Sequence, residues 1–188
     1  MNKKVLLLVD TGMLGQSIRK VFEERGYTVV GASRTSKDHA IDLTCDDSIK
    51  AAIREEKPDM VINSAAIVSL DGCENNPADA YMINGRLPGI VAECCRETGT
   101  YFIQISTDHY FMGDGDAKHN ENDKVIIVNE YARSKYLRYY RRLVRLREEQ
   151  PFVVLRRNVT VKRTNAPTSV RGFLDVPFSR NWIAQAHN

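Results

Sequence analysis

The order of its apolar runs constrains this chain most: short runs that read as strands alternate with longer stretches that read as helices. Val5 to Val9 is uninterrupted apolar sequence, as in a strand covered on both faces. From Gly12 to Arg25, Leu14, Ile18, Val21 and Phe22 share one helical stripe, and Gly26 follows in the stop position. Tyr27 to Ala32 reads as a second strand, rich in β-branched residues. Asp46 to Glu56 predicts a helix with an acidic start, stopped by Lys57-Pro58. Met60 to Asn63 is a third strand, Pro77 to Thr98 a long helix closed by Gly99, and Tyr101 to Ile105 a fourth strand. Glu130 to Glu149 predicts a long basic helix, and Phe152 to Leu155 is a further apolar run. This alternation predicts βαβ units, hence an α/β fold with a doubly wound parallel sheet. Ligands of such sheets bind beyond the carboxyl ends of the strands.

At 188 residues the chain is long enough for one domain with a substantial core. A net charge of +3 is too small to argue for nucleic acid, which needs a concentrated basic face. No stretch approaches the roughly 18 apolar residues that span a bilayer, and Val5 to Val9 is shorter than the apolar core of a signal peptide. A cytoplasmic protein is expected. Cys45, Cys73, Cys94 and Cys95 form no C-x-x-C pair and read as small apolar side chains in a reducing compartment. His39, His109, His119 and His187 lack ligand spacing, so no metal site is expected.

The segment Val9-Asp10-Thr11-Gly12-Met13-Leu14-Gly15 lies where the first strand turns into the first helix. A phosphate-binding turn belongs there, because a helix N-terminus presents free N–H groups and partial positive charge. Gly12 would let backbone approach a pyrophosphate, and Gly15 would let helix and strand pack closely. About 20 residues on, where dinucleotide folds read the adenosine ribose, stand Ser33 and Arg34. An arginine suits a 2′-phosphate through its charged planar fork. Arg34 therefore favours NADP(H), with NAD(H) the alternative.

Several motifs together resemble the dTDP-4-dehydrorhamnose reductases, extended short-chain dehydrogenases/reductases of the sugar-nucleotide-binding kind. Ile62-Asn63-Ser64-Ala65-Ala66 is similar to their V-I-N-A-A-A run, and Ile105 to Phe111 to their I-S-T-D-Y-V-F. Glu121-Asn122-Asp123 and Asn129 to Lys135 resemble E-T-D and N-x-Y-G-R-S-K, while Asn84 lies in an I-N-x-x-x-P context. The resemblance covers roughly residues 4 to 157 and implies a Rossmann-like fold. It makes Thr107, Tyr131 and Lys135 the catalytic set. Tyr131 and Lys135 are four apart and so share a helical face. An ammonium beside a phenol favours the phenolate, which equips Tyr131 to give a proton to a carbonyl oxygen while nicotinamide gives hydride to its carbon. Thr107 would hydrogen-bond the same oxygen. The cofactor would lie along Thr11, Gly12, Met13, Leu14, Gly15, Ser33 and Arg34, with Asp42 at the adenine edge. Asn63, Ala65 and Ala66 would line its path, and Lys135 would hold its ribose. The implied substrate is a 4-keto nucleotide-sugar, and helix 130–149 would form a homodimer seam.

The chain departs from this pattern seriously in two places, with lesser changes at His109, Ala132 and Ile127. Val9 replaces the first glycine of the glycine-rich turn, where a β-branched residue at positive φ would be strained, and Asp10 adds a carboxylate near a pyrophosphate's place unless it points away. Arg156 to Lys162 replaces R-T-S-W-V-Y-G, without the tryptophan that packs on the sugar. The expected division is therefore a nucleotide-binding domain over 1–157 and an irregular tail, or remnant of a substrate domain, over 158–188. These departures motivate an alternative reading: a non-catalytic or truncated Rossmann-fold relative acting as a regulatory or protein-binding subunit, of which the regulatory subunit of methionine adenosyltransferase is an example.

Overall fold

The computed structural model describes residues 2–107, 109, 124–136 and the backbone of 152–155. Its elements run β1 (Lys4–Leu8), α1 (Met13–Glu24), β2 (Thr28–Ser33), β3 (His39–Ala40), α2 (Asp46–Glu56) and β4 (Met60–Asn63). There follow α3 (Leu70–Asn75), α4 (Pro77–Ala80), a π-helical turn (Tyr81–Arg86), α5 (Leu87–Thr98), β5 (Tyr101–Ile105), α6 (Glu130–Tyr136) and β6 (Phe152–Leu155). The six strands form one sheet in the order β3-β2-β1-β4-β5-β6, with every pairing parallel. The chain thus leaves β1 in one direction and returns past it to β4 in the other, which opens a crevice at the switch point.

Strand periodicity explains why β1 is apolar from Val5 onward. Leu6 and Leu8 pack with Ile49 and Ile53 of α2 and Leu87 and Val91 of α5. Val5 and Leu7, pointing the other way, pack with Ile18 and Phe22 of α1. These four side chains are fully buried, so Val5 to Leu8 have no solvated face.

The helix predicted over 77–98 is continuous in backbone, but its middle widens into the π-helical turn. Two short elements, β3 and α3, had no counterpart in the sequence reading. Cys73, Cys94 and Cys95 are buried, as small apolar side chains would be; Cys45 is exposed, at the N-cap of α2. The acidic, glycine-containing stretch Met112-Gly113-Asp114-Gly115-Asp116, the motif 121–123, the part of the predicted helix beyond Tyr136 and the tail 158–188 lie outside the described residues. Among the described residues, no helix is long and apolar enough to cross a membrane.

Candidate active site at the carboxyl edge of the sheet

The first βα turn forms with Val9 at a φ of 61°, the left-handed conformation expected of the position and one that suits glycine. The turn is held from three sides. Val9 N–H donates to Ala32 O at 2.9 Å, Gly12 N–H donates to Val9 O at 3.2 Å, and Ser64 Oγ donates to Leu8 O at 2.7 Å. Gly15 is required outright, since a Cβ there would lie 2.0 Å from Val9 O. Gly12 caps α1 with no side-chain hydrogen bond, so the first N–H groups of the helix are not taken by a capping side chain. Thr11 and Met13 are exposed, while Leu14 is partly buried.

Asp10 points away from this turn. Its side chain is only 8% exposed and pairs with Arg19 of α1 at 3.0 Å. Ser33 Oγ donates to its other oxygen at 3.3 Å. The carboxylate that threatened a pyrophosphate is thus spent inside the protein, against a cation.

Ser33 is buried at the end of β2, and Arg34 is exposed immediately after it. Asp42, exposed beyond β3, accepts from both the backbone N–H and the hydroxyl of Thr44 at 2.8 Å. Those two hydrogen bonds, backbone first, hold its carboxyl below the ordinary range. On β4, Asn63 is fully buried; its amide donates to Gln104 of β5 at 2.8 Å and its carbonyl accepts from Ala65 N–H at 3.1 Å. Ala65 is buried and Ala66 partly so. The turn, Ser33, Asn63 and the two alanines therefore follow one another along the carboxyl ends of β1, β2 and β4.

The second half of the site lies at the end of β5. Lys135 Nζ donates to Ile105 O at 3.4 Å, which brings α6 to the strand end just before Thr107. Burial pushes the Lys135 ammonium down to about 8. Thr107 is buried, and its hydroxyl oxygen accepts from His109 N–H at 3.3 Å. The His109 ring meets the buried Tyr131 ring edge-on, with centroids 5.3 Å apart. Thr107 and the Tyr131–Lys135 pair, distant from it in sequence, are thus gathered around one strand end.

Two residues that stood within motifs in the sequence but carried no assigned role hold this half in place. Asn84, in the π-helical turn, accepts from Ile67 N–H and donates to Ile67 O and to Ser134 Oγ, each at 2.9 Å. Ser134 Oγ in turn donates to Tyr131 O at 2.8 Å. Asn84 was noticed by motif alone; Ser134, between Tyr131 and Lys135, offered no pattern of its own.

With this geometry in view, the comparisons decide the family. The family model described as RmlD substrate binding domain matches residues 3–161. The chain belongs to this family. It is 35% identical over 130 residues to a probable low-salt glycan biosynthesis reductase of Haloferax volcanii, covering 66% of this chain and 43% of that one. It is 33% identical over 112 residues to a dTDP-4-dehydrorhamnose reductase of Streptomyces griseus, covering 60% and 36%. A solved dTDP-4-dehydrorhamnose reductase of Clostridium acetobutylicum superposes with a TM-score of 0.69 at 29% identity, over 81% of this chain and 52% of that one. The chain spans less than half the length of these two curated relatives.

Proposed function

We propose that this member of the RmlD family is an NADP(H)-dependent reductase of a 4-keto nucleotide-sugar, of the dTDP-4-dehydrorhamnose reductase kind. The observation that carries the reading is the convergence at the end of β5: Lys135 on Ile105 O, with Tyr131 one helical turn away and Thr107 two residues beyond the strand. The residues present fit a nicotinamide dinucleotide. The α1 N-terminus has no side-chain cap, Gly15 admits the close turn, and Asp10 is paired away from it. Thr11, Gly12, Met13, Leu14 and Gly15 would hold the pyrophosphate. Ser33 and Arg34 would meet the adenosine ribose, Asp42 the adenine edge, and Asn63, Ala65 and Ala66 the path between.

When bound, the nicotinamide supplies the hydride. Tyr131 delivers the proton to the carbonyl oxygen, Thr107 hydrogen-bonds that oxygen, and the Lys135 ammonium steadies the charge left on the phenol and holds the nicotinamide ribose. The 1–157 segment is the nucleotide-binding domain in this reading, and the helix that the sequence predicts over 130–149 would be the seam of a homodimer. NADPH oxidation with a panel of 4-keto nucleotide-sugars tests the activity. Turnover that falls about 100-fold or more in Tyr131→Phe supports it; absent turnover, or turnover unchanged in that variant, rejects it. A regulatory, protein-binding role is the competing reading. It gains if the purified protein captures a stoichiometric partner and reduces nothing.

A further inference from the structure

Three carboxylates, those of Asp10, Glu23 and Asp38, converge on one guanidinium behind the first turn. Arg19 Nη2 lies 3.0 Å from Asp10 Oδ2 and 2.6 Å from Asp38 Oδ2. Its Nη1 donates to Val29 O at 3.1 Å and to Glu23 at 3.3 Å. Asp38 also accepts Gly31 N–H at 2.7 Å. Gly31 makes the room: a Cβ there would lie 2.2 Å from the Asp10 carboxylate and 2.4 Å from Arg19 Nη2.

The cluster reaches the surface by hydroxyl links. Ser33 Oγ, bonded to Asp10, is 3.3 Å from Thr11 Oγ1, which is 3.2 Å from Thr35 Oγ1. The segment after β2 is therefore tied at two points. Thr35 is joined to the first turn, and Asp38 is joined to α1 through Arg19 and to β2 through Gly31. Arg34 sits at the start of the tied segment, exposed.

Charge is as telling as tethering. The Gly31 N–H and then Arg19 hold the Asp38 carboxyl below its ordinary range, so it is ionised at neutral pH. An ionised acid in the segment that follows β2 opposes a phosphate brought there, and Arg19 offsets it. NADP(H) and NAD(H) differ by that 2′-phosphate, so the balance of charge in this cluster acts on one cofactor and leaves the other nearly untouched.

We propose that the Asp10–Arg19–Asp38 cluster sets the choice between the two cofactors. Arg19 acts as a positioning residue that steadies the Arg34 segment and partly offsets the acid beside it. The proposal rests on the nicotinamide reading above. It is tested by measuring the dissociation constants of NADPH and NADH for the full chain, for Arg19→Gln and for Asp38→Asn. The asparagine keeps an oxygen acceptor for Gly31 N–H and Arg19 while removing the charge. Arg19→Gln is expected to lower the preference for NADPH over NADH about tenfold, and Asp38→Asn to raise it about threefold. Both changes shrink in high salt. A purely structural cluster would weaken both cofactors alike in either variant, and that result overturns the proposal. So does an unmoved preference in Asp38→Asn, which remains decisive should Arg19→Gln fail to fold. Wild-type protein that binds neither dinucleotide overturns the nicotinamide reading and this proposal together; wild-type binding with an unmoved preference overturns the cluster's role alone.

Discussion

The two ends of the crevice reach their shapes by opposite routes. At the end of β5 the chain keeps the reacting residue types of the motifs it resembles, with Thr107, Tyr131 and Lys135 gathered on one strand end. At the end of β1 it keeps the turn but changes the residues. Val9 adopts the left-handed backbone a glycine would take, and the new carboxylate of Asp10 is absorbed by Arg19. Reacting groups are defined by their chemistry and tolerate little exchange. A phosphate-binding turn is defined by backbone path, which different side chains can support if hydrogen bonds and packing hold it.

The comparison breaks most readily at Gly15. Gly15→Ala drives a methyl into Val9 O, and neighbouring backbone also lies within 3.0 Å of it. Chemical denaturation should show a loss of about 3 kcal/mol or more, with dinucleotide binding abolished. A stable, binding-competent variant would mean the turn is looser than described.

Next in size is Asn84→Ala, which touches only the β5 end. It leaves Ile67 N–H, Ile67 O and Ser134 without their buried partner. A loss of about 2–3 kcal/mol is expected, with turnover falling further than cofactor affinity because α6 loses its tie. Equal loss of both would remove the distinction between the two ends.

Lys135 sharpens the comparison by pH. Its folded value of about 8 lies below the ordinary lysine value of about 10.4. Below pH 8 both folded and unfolded chains carry the charge, and the fold bears the full cost of burying it. Between those values the unfolded chain binds the extra proton, so stability rises with pH; above them the cost is gone. The stability of wild type relative to Lys135→Met should therefore increase across that window. A flat difference would place the ammonium in water.

The smallest effect is the most specific to the β1 end. At a φ of 61° the usual order of substitutions reverses. Val9→Gly should be more stable than Val9→Ala by about 1 kcal/mol, since alanine keeps the strained Cβ. Alanine equal to or better than glycine would mean the left-handed turn is absent in solution.

Much of this was legible in the residues, for identifiable reasons. The sheet follows from apolar runs buried on both faces, and α2 and β4 have the very bounds their patterns predicted. Val9's backbone was readable because a β-branched residue stood where the turn demands positive φ. What escaped was either too short for periodicity, such as the two-residue β3 and the six-residue α3, or joined across sequence. Arg19 and Asp38 meet through folding alone. The one local hint was Gly31 in mid-strand, where a missing side chain marks the close approach of another group. The π-helical turn was invisible because a helical stripe of apolar residues does not report one extra residue in a turn.

The central claim is that a turn rebuilt around Val9 and Asp10 still seats a nicotinamide dinucleotide. Titration calorimetry of the purified protein with NADPH and NADH tests it directly. Saturable one-site binding, tighter for NADPH and lost in Gly15→Ala, is the result expected. No heat of binding with either dinucleotide, from protein shown to be folded, would contradict it.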